Sequence, residues 1–411
     1  MANIAVGQTG AQDSGQDSDK EKTEKAAKGS RSFSEDAFSN LRHKFGFSVA
    51  FNEIYFSDAY SAGSTTSQSA MADVLYPRIY FNLGQRKSKF HLDYGFGYRR
   101  YHNGITSHSK EQYGNASYAY QATRKSSFQL YNHFSIAPEW FGSFLSPILT
   151  GETPFSGFTN EIFWENQKIL RNVAGAQYSY KTAKTDFILM SEYQIWRFHP
   201  QIDTNFEGVM AGISYRRQIT KWLTLDNSYS AYLNHVDQQY QGTGRIHRLQ
   251  VGGFRFNLCK DWILTAGGGA EYSKQSGLDQ LGELVDVGLG WTNDSSVFTA
   301  NYHRGFYSGI GLEQIFQSDQ GLAGFGTRIN SWTNLQLSGS YIRGTGVFRY
   351  GSIETYSARA GLDFALPANL YANFAVTYLN QKAKGFDPLI FDRDRYVAMV
   401  GIQYVYPGHR R

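Results

Sequence analysis

Five arginines, six carboxylates and two histidines in this chain alternate with aromatic or aliphatic residues instead of clustering in charge runs. They are Arg99, Arg216, Arg255, Arg328 and Arg359; Asp93, Glu192, Asp226, Glu271, Asp286 and Asp363; and His91 and His303. Guanidinium and carboxylate groups displayed on one wet wall can do two things. They pair with each other and hold the wall, or they set up a transverse field that selects among ionic solutes. Both uses are open at this stage. Five arginines point toward anions or acidic sugars, and six acids of the same parity mute that preference.

No arrangement of these groups reads as catalytic. The sequence holds no HExxH pair, no phosphate-binding loop and no G-x-S-x-G elbow, and the triplet Gly267, Gly268, Gly269 falls inside a strand. His102, His108, His199, His235 and Asp237 lie in or beside connections, where a histidine near carboxylates is usually solvated. The lone Cys259 allows no internal disulfide and no thiolate metal cluster. No enzyme activity, cofactor or metal is expected.

The elements that carry these charges have a period of two. Phe90, Leu92, Tyr94, Phe96 and Tyr98 alternate with polar or bare positions, and the same spacing returns at Leu264 to Tyr272, Tyr356 to Leu366 and Tyr396 to Tyr406. Each run is about 10 to 12 residues, near the length a tilted strand needs to cross a bilayer. A helical span needs about 20 consecutive apolar residues; none occurs, and the mean hydropathy is −0.45. With 16% aromatic residues and 18% charged, the chain is neither disordered nor coiled coil. A net charge of +5 is spread without a basic run, so nucleic acid is not an expected partner.

Connections alternate in length. Short polar turns near Gly84 to Lys87, Arg124 to Ser126, Thr182 to Thr185, Thr220 to Lys221, Cys259 to Asp261, Asn293 to Ser295, Asn330 to Ser331 and Pro367 to Asn369 are separated by longer segments. The longer ones include Ser57 to Ala70, His102 to Gly114, Ile136 to Lys168, Ser273 to Gly282 and Gly305 to Gln317. This is the arrangement of a transmembrane antiparallel up-and-down β-barrel, all-β, with about 18 strands and 16 as the alternative, because the runs near Phe45 and Gly321 are weak. The barrel is expected over residues 44–406, after a polar, disordered, periplasmic segment 1–43 and before a short tail 407–411. No export signal is visible, and it is read as removed. Trp222, Trp262, Trp291 and Trp332 adjoin short turns and are expected to form a belt at one interface. A soluble propeller would need four short strands per repeat and a second sheet over every apolar face, and neither pattern is present.

The last run resembles the assembly signal of bacterial outer-membrane β-barrel proteins, in which a glycine is followed at fixed offsets by two aromatics. Gly401, Tyr404 and Tyr406 stand at those positions, although the chain continues through Pro407 to Arg411 and carries Met399 where a polar residue is typical. The resemblance implies a porin-like barrel in the outer-membrane lipid of a Gram-negative bacterium, inserted by the barrel assembly machinery. A weaker likeness to exopolysaccharide-associated barrels adds polysaccharide export to the roles considered. The apolar segment Ile136 to Lys168 resembles the third loop of general porins in order and length. If it folds inward, Glu139, Glu152 and Glu161 face the path; if it packs over the mouth, they do not. The expected role is a channel for passive passage of hydrophilic solutes; the alternative is a structural or surface-binding outer-membrane barrel whose lumen is closed by loops and which transports nothing. A homo-oligomer is compatible with either.

Overall fold

The computed structural model describes residues 45–60, 67–85, 87–102, 109–138, 168–199, 205–237, 242–259, 261–275, 277–309, 314–347, 351–385 and 392–406. Eighteen strands follow in order: β1 Phe45–Tyr60, β2 Ser67–Gly84, β3 Ser88–Tyr101, β4 Ser109–Gln121, β5 Ser126–Pro138 and β6 Lys168–Lys181. Next come β7 Thr185–His199, β8 Asn205–Gln218, β9 Leu223–Asp237, β10 Gly242–Asn257, β11 Trp262–Gln275 and β12 Leu278–Thr292. The last six are β13 Ser296–Gly309, β14 Gln314–Asn330, β15 Thr333–Gly346, β16 Ser352–Ala365, β17 Leu370–Lys384 and β18 Arg393–Tyr406. Every strand pairs antiparallel with its sequence neighbours, and β1 pairs with β18 from Phe47↔Tyr406 to Phe56↔Val397. That last pairing closes the barrel and removes both sheet edges.

The short turns are closed by side chains that imitate the backbone. Asn293 Oδ1 accepts the N–H groups of Ser295 and Ser296 at 2.9 and 2.6 Å, and Thr123 Oγ1 accepts those of Lys125 and Ser126 at 3.1 and 3.0 Å. Between β16 and β17 the turn places Ala368 and Asn369 at φ 59° and 61°, the left-handed pair that a twisted two-residue hairpin requires.

Strands run 13 to 18 residues, longer than the hydrophobic runs indicate. Segments expected as long connections contain paired strand: β1 reaches Tyr60, β4 begins at Ser109, and β11 and β12 leave only a short turn between Gln275 and Leu278. Beyond the hydrocarbon both faces of a strand meet water, so the alternation loses its contrast while the hydrogen-bond ladder continues. The segment 1–43, the tail 407–411 and the loop with Glu139, Glu152 and Glu161 lie outside the described residues.

Outward positions form an apolar belt. Val49, Phe51 and Tyr55 of β1 are exposed, while their neighbours Ser48, Ala50, Asn52 and Ile54 are buried on the inner face. At the short-turn end Trp262 faces Trp291 across the β11–β12 ladder with ring centroids 6.0 Å apart. Trp222 stacks on Phe256 at 6.4 Å, and Trp332 packs on Phe364 at 6.0 Å. Tyrosines form the opposite girdle. Tyr341 and Tyr356 both donate to Glu354 at 2.9 Å, and Tyr302 donates to Asp319 at 2.7 Å. A greasy outer surface ringed by amphipathic aromatics is the surface of a barrel that spans a lipid bilayer, since water would leave this face uncovered.

Candidate functional site in the lumen

All eleven charged candidates lie on the inner parity of their strands, but their surroundings divide into two kinds. Along β1–β4 with β17 and β18 the inner wall is packed shut. Arg99 pairs with Glu111, and neither side chain has any exposed surface. Asp93 accepts from Arg78 Nε at 2.6 Å in a second buried pair. Tyr76 meets Tyr113 edge-on at 5.7 Å beside them. Gly97 leaves only 3.1 Å between an imagined Cβ and Glu111 Cβ, so the glycine lets Glu111 sit close against β3. Arg99 and Asp93 therefore face inward without reaching solute.

On β8, β9, β12 and β13 the inner charges Arg216, Asp226, Asp286 and His303 keep contact with water, whereas Glu271 of β11 between them does not. Arg216 holds Asp226 Oδ2 through Nε and Nη2 at 3.1 and 3.0 Å, with both side chains about one-third exposed (33% and 29%). His303 Nδ1 lies 2.5 Å from Asp286 Oδ1. Arg255 is different again. It is half-buried next to the charges of Arg216 and Asp226 and makes no ion pair among the described residues. Thr224 and Thr265 are its register partners on either side, so its neighbours along the wall are hydroxyls rather than carboxylates.

The remaining candidates are tied into local networks. Glu192 is buried and accepts from Tyr131 Oη at 2.8 Å and from Gln194. Glu271 is fully buried against Arg248. Asp363 accepts from Gln336 Nε2 at 3.2 Å and feels the charge of Arg359, four residues back on the same face of β16. Arg328 stands opposite Asn334 in the β14–β15 ladder. His91 is bonded to Asn82 at 2.6 Å. On the outer rim His102 lies 2.8 Å from Asp73. No group of three or more metal-ligating side chains occurs among the described residues.

Sequence reasoning missed Arg78, Glu111 and Arg248. Glu111 falls in a segment expected as loop. Arg78 lies in β2, where Val74, Tyr76 and Tyr80 make the inner face as apolar as the outer Leu75, Ile79 and Phe81, so no alternation marks the side. Arg248 and Arg255 are seven residues apart, which should put them on opposite faces, yet both point inward. The β10 register slips between Val251 and Phe254, and Gly252 at φ 74° supplies the extra residue of a β-bulge. The Gly252-Gly253 pair was the available signal.

At the end of β18, Gly401 lies on the inner face between Asn52 and Asn373, whose side-chain oxygens would be 2.0 and 2.6 Å from any Cβ placed there. Tyr404 and Tyr406 lie on the outer face against Phe47, with centroids 6.1 and 5.5 Å apart.

No protein-family model and no curated protein matches the sequence. Solved structures similar to it include the outer membrane protein OpdK from Pseudomonas aeruginosa, at 9% identity, covering 88% of this chain and 98% of that one with a TM-score of 0.45. OccK2 (OpdF) from the same bacterium, in complex with glucuronate, matches at 9% identity, 88% and 98% coverage and a TM-score of 0.46. The siderophore receptor PirA from Acinetobacter baumannii matches at 8% identity, 90% and 81% coverage and a TM-score of 0.47.

Proposed function

We propose that this chain is an outer-membrane channel for passive passage of hydrophilic solutes, with a preference for anionic ones. Arg255 carries the reading: a guanidinium on the inner wall, beside a second arginine and flanked by hydroxyls, keeps donors available that a carboxylate or phosphate group on a solute would meet. The partly exposed Arg216–Asp226 pair next to it supplies a local field without closing the path. Arg328 and Arg359, together with Asp286 and Asp363, extend this polar wall along β12–β16. Export of an acidic polysaccharide is the narrower version of the same chemistry. Gly401, Tyr404 and Tyr406 support insertion by the barrel assembly machinery.

The test is conductance in planar bilayers. Purified, folded protein is expected to give stepwise current with reversal potentials on the anion side, and Arg255→Ser is expected to move them toward zero. A silent bilayer from folded protein favours the alternative of a surface-binding or structural barrel. That alternative draws on the apolar end of the β13–β14 hairpin, where Phe306, Ile315 and Phe316 are buried.

A further inference from the structure

At one place the barrel wall closes by overlap instead of by pairing. The β12–β13 ladder runs from Thr292↔Val297 to Val285↔Arg304 and stops there. Toward the long-loop side β12 nevertheless continues to Leu278, held by β11 through Gln275↔Leu278. Its other edge, residues 278–284, has no strand partner among the described residues, and Leu281 on this stretch is 72% exposed. β13 meanwhile stays paired with β14 up to Gly309↔Gln314, and β14 with β15 up to Phe316↔Gly346.

This end of β13 and β14 lies on the inner side of β10–β12. The Phe306 ring covers Gly282, where a Cβ would fall 2.4 Å from Cζ. The Ile315 N–H donates to Gln275 Oε1 at 3.1 Å, and Phe306 and Ile315 form a buried cluster with Ile246 of β10. One ion pair grips the backbone of the hairpin. Glu271 accepts the Phe306 N–H and pairs with Arg248, whose Nη2 donates to the Phe306 carbonyl at 3.2 Å.

Parity shows that the same residues fit a second arrangement. Arg304 faces outward, pairing with Asp319 at 3.1 Å and reaching Glu283 at 3.6 Å. Two residues on, Phe306 would face outward in a continued strand, yet it has no exposed surface. Extending the existing register sets Leu284 opposite Gly305, Glu283 opposite Phe306, Gly282 opposite Tyr307 and Leu281 opposite Ser308. That arrangement recovers ladder hydrogen bonds on both strands. The overlap instead buries Phe306 and Ile315 and satisfies Glu271. The free edge of β12 carries the exposed Glu283 on its outer side, in the headgroup or water zone, where unpaired backbone groups can be hydrated. Two packings with opposing gains make a bistable element.

We propose that the paired strand ends 305–309 of β13 and 314–316 of β14 form a gate at the mouth of the barrel, held inward by the Arg248–Glu271 pair and released outward by pairing with the free edge of β12. The motion concerns the wall itself; its effect on flux rests on the passage reading above. The test uses the full chain with Cys259→Ser and the pair Leu281→Cys with Ser308→Cys, positions that face each other in the extended register and are not paired in the existing ladder. Oxidation is expected to cross-link this pair in folded protein, and to do so several-fold faster when Glu271→Gln weakens the grip. The oxidised form is expected to conduct at least about twofold more than the reduced form, and reductant should reverse the gain. Failure to cross-link in both backgrounds, while Val287→Cys with Tyr302→Cys in the existing ladder does cross-link, overturns the motion. Equal, non-zero conductance of trapped and reduced forms overturns the gate. Silence of both forms despite cross-linking leaves the motion established and sinks the passage reading instead.

Discussion

The inner wall along β1–β4, β17 and β18 and the inner wall at the short-turn end of β8–β10 are built from the same alternation, and their charges meet different surroundings. In the first, Arg99–Glu111 and Arg78–Asp93 are sealed among Tyr76, Tyr113 and Val74, with nothing left for a solute to touch. In the second, Arg216, Asp226 and Arg255 remain wet. An inward charge is therefore no sign of a pore function by itself. What separates wall chemistry from solute chemistry is whether the partner of a charge excludes water from it.

Breaking the sealed arc should have the largest effect. Arg99→Ala leaves Glu111 buried without its counter-charge and is expected to destabilise the barrel by about 3–5 kcal/mol, whereas Arg99→Met with Glu111→Leu should recover most of that loss. Urea titration of folded protein in micelles, followed by the heat-dependent shift in gel migration, reads both. If Arg99→Ala costs no more than a wet-wall substitution, the division into two arcs fails.

The inside–outside assignment on which both arcs depend is tested on one strand pair. Ala360 is exposed on the outer face of β16 and pairs with Leu337, while Ser338 is on the inner face of β15 opposite Arg359. Ala360→Arg is expected to cost about 2–4 kcal/mol, the penalty of a charge in the lipid belt. Ser338→Arg should change ion preference with little loss of stability. Equal damage from the two would show the faces to be exchanged.

Smaller still is the bulge that turns Arg248 and Arg255 to one side. Gly252→Ala places a side chain at φ 74° and is expected to cost about 1–2 kcal/mol. Deleting Gly252 should instead move one of the two arginines to the outer face, seen as a new reversal potential. At the lower end, Arg216→Ser is expected to change stability by less than about 0.5 kcal/mol, in line with the weak net contribution of a partly exposed pair. Its effect should be read in ion selectivity alone, and a large stability loss would place Arg216 with the sealed group.

Much of this was legible in the residues. The alternation at Phe90 to Tyr98 and Tyr396 to Tyr406, the rhythm of short turns and the tryptophans beside them are local properties, and they lead to an 18-strand barrel with a bilayer around it. Where both faces of a strand are apolar, as in β2, the pattern thins out and Arg78 goes unseen. Where a strand leaves the hydrocarbon, polar residues line both faces and paired backbone reads as loop, which hid Glu111. A bulge shifts parity without changing composition, which hid Arg248.

Side-chain period and turn chemistry act between residues a few positions apart, so the chain by itself determined the barrel, the order of its strands and the side that the eleven candidate charges would face. Burial, pairing and closure depend on neighbours brought from far along the chain. Only the tertiary structure decided that Arg99 would be sealed and Arg255 left open, and that the wall would overlap between β12 and β13, because water exclusion is a property of the assembled surface and not of any segment in it.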